Sequence, residues 1–269
     1  MNARSKRTSP IRIVQLFGDL LGTYGDGGNA LVLERRAAWR GIPVTRVDVT
    51  ALDAIPRDGD IYVIGGGEDG PQSRAARLLG ETGALREAVD AGAAVLAVCA
   101  GFQIMGHSFV GPDGTAVDGL GLLDVTTARA RGPRLVGEVL VDADPTLGVG
   151  RLTGYENHAG VTRLGADATP LGQVVGAHAD RPAATRTEGA FRGRIVGTYL
   201  HGPVLARNPA LADRLLAWAL DVEPSELDPL DDTAVERLRA ARIAAALSPR
   251  ADRPETGAFD RIRRRLTAR

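Results

Sequence analysis

Residues 93–106 read Ala93-Ala94-Val95-Leu96-Ala97-Val98-Cys99-Ala100-Gly101-Phe102-Gln103-Ile104-Met105-Gly106, an apolar run that ends on the only cysteine of the chain and is followed at once by small residues. A buried parallel strand reads as an unbroken apolar run, and a tight strand-to-helix turn needs small neighbours. Ala97, Ala100 and Gly101 meet that need, so the stretch is expected to form a strand, a sharp turn and a helix with Cys99 at the tip. Backbone N–H groups and the positive dipole end at a helix N-terminus favour a thiolate and would lower the Cys99 pKa from about 8.5. A cysteine so placed is poised as a nucleophile. A small buried thiol is the other reading, and this stretch alone leaves both open.

Composition narrows what surrounds the stretch. A chain of 269 residues with 44% hydrophobic content can build one large α/β domain and an appendage. One cysteine excludes an internal disulfide, and cysteine-ligated zinc would need more thiols, so no metal is expected. Residues 1–10 are polar and basic without an apolar targeting core, and no apolar run nears the roughly 20 residues that span a bilayer. A soluble, cytoplasmic protein with no membrane insertion is the expectation. Zero net charge and few aromatics remove the electrostatic and stacking grounds for nucleic-acid binding.

Further strands are expected at Ile11 to Phe17, Val44 to Val49 and Asp60 to Ile64. Between the first two lies the glycine-rich Gly22-Thr23-Tyr24-Gly25-Asp26-Gly27-Gly28-Asn29, leading into a helical pattern from Ala30 to Arg40. It lacks the Lys-Ser/Thr pair of a phosphate loop and the G-x-G-x-x-G spacing, so a structural turn with Asn29 as a helix cap is expected. The strand at Asp60 to Ile64 runs into Gly65-Gly66-Gly67, which places bare backbone N–H groups where open α/β sheets bind ligands. Half of an oxyanion hole and an ordinary turn both fit that triplet. Helices are expected at Gln72 to Leu79 and Gly83 to Ala91.

Beyond Leu120 come short alternating strands at 122–128, 135–141, 174–177 and 185–191, antiparallel in character. Among them sits Gly154-Tyr155-Glu156-Asn157-His158-Ala159-Gly160, too polar for core. An apolar run from Arg194 to Leu200 ends on His201-Gly202-Pro203, before a helix from Pro209 to Leu220. The fold class is therefore α/β, a mostly parallel central sheet flanked by helices, with some antiparallel strands in the second half. Residues 1–10 read as a flexible N-terminus, 11–222 as the main domain and 223–269 as a charged extension. The extension holds one helix, Asp231 to Leu247, with Val235, Leu238, Ile243 and Leu247 roughly on one face, and ends near Arg263-Arg264-Arg265.

A cysteine nucleophile needs a base. His201 ends an apolar strand, as Cys99 does, and in a parallel sheet both would surface on the same carboxyl edge. His107, about two helical turns past Cys99, is too far along its helix to reach back, and His178 sits in a polar loop. His158 is the second choice.

With those residues in place the sequence resembles the class I glutamine amidotransferases. Cys99-Ala100-Gly101-Phe102-Gln103 matches their C-x-G-x-Q elbow, and Gly65-Gly66-Gly67 their oxyanion glycines. Tyr155-Glu156-Asn157-His158 and Gly197-Thr198-Tyr199-Leu200-His201-Gly202-Pro203 are similar to the cobyric-acid-synthase-like branch. Tyr24-x-Asp26-x-x-Asn29, running on to Leu33 and Arg36, and the later Asn208-Pro209 resemble the glutaminase subunits of lipid II isoglutaminyl synthases. The likeness spans roughly Ile11 to Leu220 and implies a role for each matched position. Cys99 attacks L-glutamine, His201 moves protons, and Gly66, Gly67 and Ala100 supply oxyanion amides. Arg134 takes the glutamine carboxylate, with Gln103, Asn157 and His158 as further substrate-binding positions. The chain needs no cofactor of its own; ATP and Mg are expected in a Mur-ligase-like synthetase partner, which alone handles lipid II. A different acceptor such as a corrinoid carboxylate, a non-catalytic binding protein on the same scaffold and a thiol hydrolase for another amide are the alternatives. Free-standing length argues against the corrinoid branch, whose glutaminase is commonly fused to its synthetase. Where class I enzymes carry His-x-Glu, Pro203 comes after His201-Gly202, so the acid that orients the imidazole is expected from a partner subunit.

Overall fold

Apolar runs with no polar interruption pair as parallel strands because such strands are buried on both faces. In the computed structural model, which describes residues 9–130, 132–176 and 186–247, the first half runs β1 (Ile11–Leu16), α1 (Gly28–Trp39), β2 (Val44–Val49), β3 (Ile61–Ile64), α2 (Asp69–Thr82), α3 (Ala84–Asp90), β4 (Ala94–Val98) and α4 (Ala100–Met105). Next come β5 (Ser108–Val110), β6 (Ala116–Asp118), β7 (Val125–Arg129), β8 (Leu135–Ala143), β9 (Arg151–His158), β10 (Gly160–Leu164), β11 (Thr169–Val175), β12 (Thr187–Arg192) and β13 (Ile195–Thr198). The chain then forms α5 (Val204–Arg207), α6 (Pro209–Leu220) and α7 (Thr233–Leu247).

Among the described residues the strands make a nine-stranded sheet ordered β2-β1-β3-β4-β13-β12-β11-β8-β9 and a four-stranded sheet ordered β10-β7-β5-β6. From β2 to β13 the large sheet is parallel; β12, β11, β8 and β9 continue it antiparallel. Every residue of β3, β4 and β13 is buried. Edge strand β2 instead presents Thr45, Arg46 and Asp48 to solvent, a charged pattern that discourages edge-to-edge pairing.

Register positions the site. Leu16 pairs with Ile64, Ile64 with Ala97, and Val98 with Thr198. The parallel ends of β1, β3, β4 and β13 therefore coincide. The segments leaving those ends, namely the Asp26 loop, Gly65–Gly67, Cys99 and His201, emerge on one sheet edge, as expected of ligand sites in open α/β sheets.

Several expectations are corrected. The cluster at 154–160, expected to be too polar for core, lies mostly in β9, which pairs along β8 from Arg151–Asp142 to His158–Leu135 and buries Glu156 and His158. The 174–177 strand runs instead over Thr169–Val175, with Ala177 outside the described residues. His107 lies past the end of α4, its Nε2 2.9 Å from Asp124 Oδ1. Asn29 does not cap its own helix; α1 starts at Gly28 without a side-chain cap, and the buried Asn29 Oδ1 accepts the Leu205 N–H at 2.9 Å.

The extension is docked as far as Leu247. Arg36 binds Asp213 at 2.8 Å and Asp232 at 2.7 Å, and Arg40 binds Asp213 at 2.8 Å and the Asp228 carbonyl at 2.6 Å, so α1 grips the start of the extension through buried guanidiniums. The apolar face of α7 is largely open: Leu238 is 65% and Leu247 49% exposed, while Val235 and Ile243 are half-buried. The helix attaches through arginines, Arg239 to the Arg151 carbonyl and Asn208 Oδ1, and Arg242 to Glu138. Residues 1–8, His178 and Arg263–Arg265 lie outside the described residues. No helix among the described residues is long and apolar enough to cross a membrane.

Candidate active site

Cys99 stands between β4 and α4 with φ 53° and ψ −103°, a region that costs a non-glycine residue about 1–3 kcal/mol and persists only where the surroundings impose it. Here they do. Its N–H donates to the Thr198 carbonyl at 2.8 Å, and the Gly101 N–H to the Gly65 carbonyl at 3.2 Å. A side chain at Gly101 would place its Cβ 2.8 Å from the Ile64 carbonyl oxygen. Glycine alone lets the turn close against β3. Cys99 lines a cleft of about 390 Å³ shared with Gly67, Glu68, Arg134 and His158.

His201 Nδ1 lies 3.0 Å from Oδ2 and 3.2 Å from Oδ1 of Asp26, a fully buried carboxylate in the glycine-rich loop after β1. A carboxylate there accepts, so Nδ1 carries the proton and Nε2 is the basic nitrogen. Nε2 is buried and has no hydrogen-bond partner among the described residues. A methyl group built on Gly66 would touch the His201 ring at 2.8 Å and Cys99 Cβ at 3.2 Å. Imidazole and cysteine thus both crowd Gly66, which leaves no room there for a side chain. The expectation that the orienting acid comes from a partner is corrected, because Asp26 occupies that position within the chain. Pro203 instead packs against Gly28 at the start of α1.

The oxyanion assignment is also revised. The Gly66 N–H donates to Asp26 Oδ2 at 2.9 Å, so this amide is committed to the acid and is no oxyanion donor. Gly67 and Ala100 both line the cleft, whereas Gly66 does not.

Burial first, then the Asp26 charge, push the Cys99 thiol up to about 12; the Ala100 N–H and Arg134 pull it down only partly. The expected fall in its pKa is therefore corrected: desolvation outweighs the amides of a six-residue helix. A thiol raised in this way stays protonated near neutral pH, so to act as a nucleophile it would have to give its proton to a neighbouring base, and His201 is the one beside it. Alkylation of Cys99 by iodoacetamide should accordingly accelerate with each pH step from about 7 to 10 without levelling; a plateau at or below the ordinary thiol value of about 8.5 contradicts this.

Around the cysteine the remaining predicted positions divide. Arg134 lines the cleft and is held by Asn157, its Nε donating to Oδ1 at 3.1 Å and its Nη2 to the carbonyl at 2.9 Å. Asn157 lines the same cleft and sets the direction of Arg134. Gln103 is clamped, its Oε1 accepting from Gln72 Nε2 at 2.8 Å and its Nε2 donating to the Tyr199 hydroxyl at 3.3 Å. His158 stacks on Tyr199 with centroids 3.7 Å apart, donates Nδ1–H to the Gly160 carbonyl at 2.9 Å and meets Glu156 at 3.5 Å. Stacked on Tyr199 and held through Nδ1, it forms part of the cleft wall.

Asp26, Tyr24, Glu68 and Gln72 enter the site without having been assigned to it from sequence. An acid in a glycine-rich loop at the carboxyl end of a strand was the available signal for Asp26. Tyr24 lies against His201 with ring centroids 4.6 Å apart.

Known proteins resemble this arrangement. The family model described as a CobB/CobQ-like glutamine amidotransferase domain matches residues 12–209. Lipid II isoglutaminyl synthase (glutamine-hydrolyzing) subunit GatD of Staphylococcus aureus (strain N315) is 35% identical over 225 residues, 81% of this chain and 90% of that protein. The same subunit of Streptococcus pneumoniae is 37% identical over 219 residues, 78% of this chain and 80% of that one. A cobyric acid synthase of Azorhizobium caulinodans is 33% identical over 171 residues, 60% of this chain but 32% of the larger protein. A solved glutamine amidotransferase from Thermotoga maritima superimposes with a TM-score of 0.51 at 15% identity, covering 88% of this chain and 94% of that one, a likeness of fold.

Proposed function

Because the chain belongs to the CobB/CobQ-like glutamine amidotransferase family, we propose that it is the glutaminase subunit of a lipid II isoglutaminyl synthase. The reading is supported above all by Cys99, His201 and Asp26 converging on one sheet edge from three separate strand ends. Cys99 Sγ attacks the amide carbon of L-glutamine while His201 Nε2 takes the thiol proton. Developing negative charge on the amide oxygen is met by the N–H groups of Gly67 and Ala100, each such donor typically worth about 3 kcal/mol. His201 then passes the proton to the leaving nitrogen, and ammonia departs. Water, deprotonated by His201, attacks the thioester and releases glutamate, restoring the thiol. Asp26 holds the imidazole in the required tautomer and stabilises its charged form throughout.

Ammonia is consumed elsewhere. In this reading a Mur-ligase-like synthetase, MurT, supplies the ATP and Mg chemistry and converts the α-carboxyl of D-glutamate in the lipid II stem peptide to an amide. Two relatives named as lipid II isoglutaminyl synthase subunits, matched over most of their length, support this acceptor. The test is purification of the chain from its native cell with its bound partner, followed by assay of glutamine-dependent lipid II amidation. A Mur-ligase-like partner with that activity is the expected result; a corrinoid-amidating partner overturns the acceptor.

A further inference from the structure

Glutamine offers three handles, its side-chain amide, its α-carboxylate and its α-ammonium, and the glutaminase reading places only two of them. The cleft has few groups left to receive the third. Asp69 is paired with Arg129 at 2.5 Å. Asn157 Oδ1 is held by Arg134, and Gln103 Oε1 by Gln72. His158 carries no negative charge to offer an ammonium, and its Nδ1 is spent on the Gly160 carbonyl. Glu68 differs: among the described residues its side chain meets only the Tyr24 hydroxyl, at 3.5 Å, the outer limit of a hydrogen bond. It lines the cleft beside Gly67 and Cys99, and Tyr24 in turn packs on His201.

Building on the glutaminase reading, we propose that Glu68 receives the α-ammonium of glutamine, so that the cleft selects free L-glutamine over amides whose α-amine is absent or acylated. A cation and an anion at the two α-substituents recognise a zwitterion in one orientation, since reversal would set like charges together. With Asp69 and Arg129 of the lining bound to each other, Arg134 and Glu68 are the charges of opposite sign that remain to face a substrate. Glu68 also contributes to the raised pKa of Cys99. An ammonium docked on it cancels that contribution, so the proper substrate eases deprotonation of the thiol that attacks it.

The test crosses two variants with two substrates. Glutaminase turnover of L-glutamine and of glutaramate, which lacks only the α-amine, is measured for wild type, Glu68→Gln and Glu68→Ala, each as the full chain with its synthetase subunit. Labelling of Cys99 by 6-diazo-5-oxo-L-norleucine and by its desamino analogue gives a second readout that needs no turnover. Wild type should favour the amine-bearing member of each pair by at least about tenfold. Loss of a charge-assisted hydrogen bond should lower kcat/KM for L-glutamine roughly 10- to 100-fold, mainly through KM, and collapse that preference. An equal loss on both substrates marks a structural role and overturns the assignment, as does a preference that survives in both variants. Wild type that neither hydrolyses L-glutamine nor is labelled overturns the glutaminase reading itself, a result distinct from either.

Discussion

Cys99→Ala is expected to abolish glutamine-dependent amidation by the complex, a fall of at least roughly 100,000-fold as seen when a catalytic nucleophile is removed, while ammonium ions still support the reaction. The substitution deletes a sulfur atom from a side chain whose backbone is held by bonds to Thr198 and by close packing at Gly101, so the turn and the sheet edge survive. The measurement is amide formation on lipid II with glutamine and, separately, with ammonium chloride as nitrogen source. Retained ammonium-dependent activity shows that the synthetase half is intact and that Cys99 serves only to release ammonia. Loss of both activities in a complex that still assembles contradicts this division of labour.

Asp26→Asn should be nearly as severe. The side-chain oxygen of asparagine can still accept the Gly66 N–H that Asp26 accepts at 2.9 Å, which preserves the glycine loop. Its amide nitrogen, however, donates toward His201 Nδ1 and forces the imidazole proton onto Nε2, the atom that must accept from Cys99. A drop in kcat of roughly 1,000- to 10,000-fold with little change in KM is expected, as for the corresponding change in a serine triad. Ammonium-dependent amidation should again survive. Glutamine turnover within a few-fold of wild type would mean that the orienting carboxylate comes from another protein, and Asp26 would then be only a buried ligand of the glycine loop.

Both substitutions fall on the same sheet edge, whose residues are unevenly legible in the sequence. Cys99 and His201 can be found because each ends an apolar run, and the parallel register that aligns Val98 with Thr198 comes from those runs being buried on both faces. Gly67 lies in a glycine triplet whose position after a strand leaves a ligand-binding loop and an ordinary turn both open, and the oxyanion role of Ala100 comes from the family resemblance. Asp26 is visible in the sequence but its role is not: nothing local distinguishes an acid that reaches across 175 residues to an imidazole from one that trims a turn. Gly66 shows the same limit from the other side. Its amide reads as available because a glycine triplet exposes backbone, but only the folded loop reveals that the N–H is already given away. The strand at 151–158 escapes a sequence reading because Glu156, Asn157 and His158 look like surface, whereas pairing with β8 and the stack on Tyr199 bury the histidine.

Apolar periodicity and small residues, taken alone, determined the α/β class, the strand that presents Cys99, the sharp turn and the edge on which His201 appears, because these depend on local sterics and on burial of contiguous runs. Tertiary structure decided three things that depend on groups distant in sequence. It brought Asp26 to the imidazole, where Pro203 in the sequence offers no acid. It buried the thiol beside a carboxylate, so desolvation and charge overrode the helix N-terminus and raised its pKa. And it settled which polar residues of the cleft are tied to one another, Asp69 to Arg129 and Gln103 to Gln72, and left Glu68 with only a long contact to Tyr24.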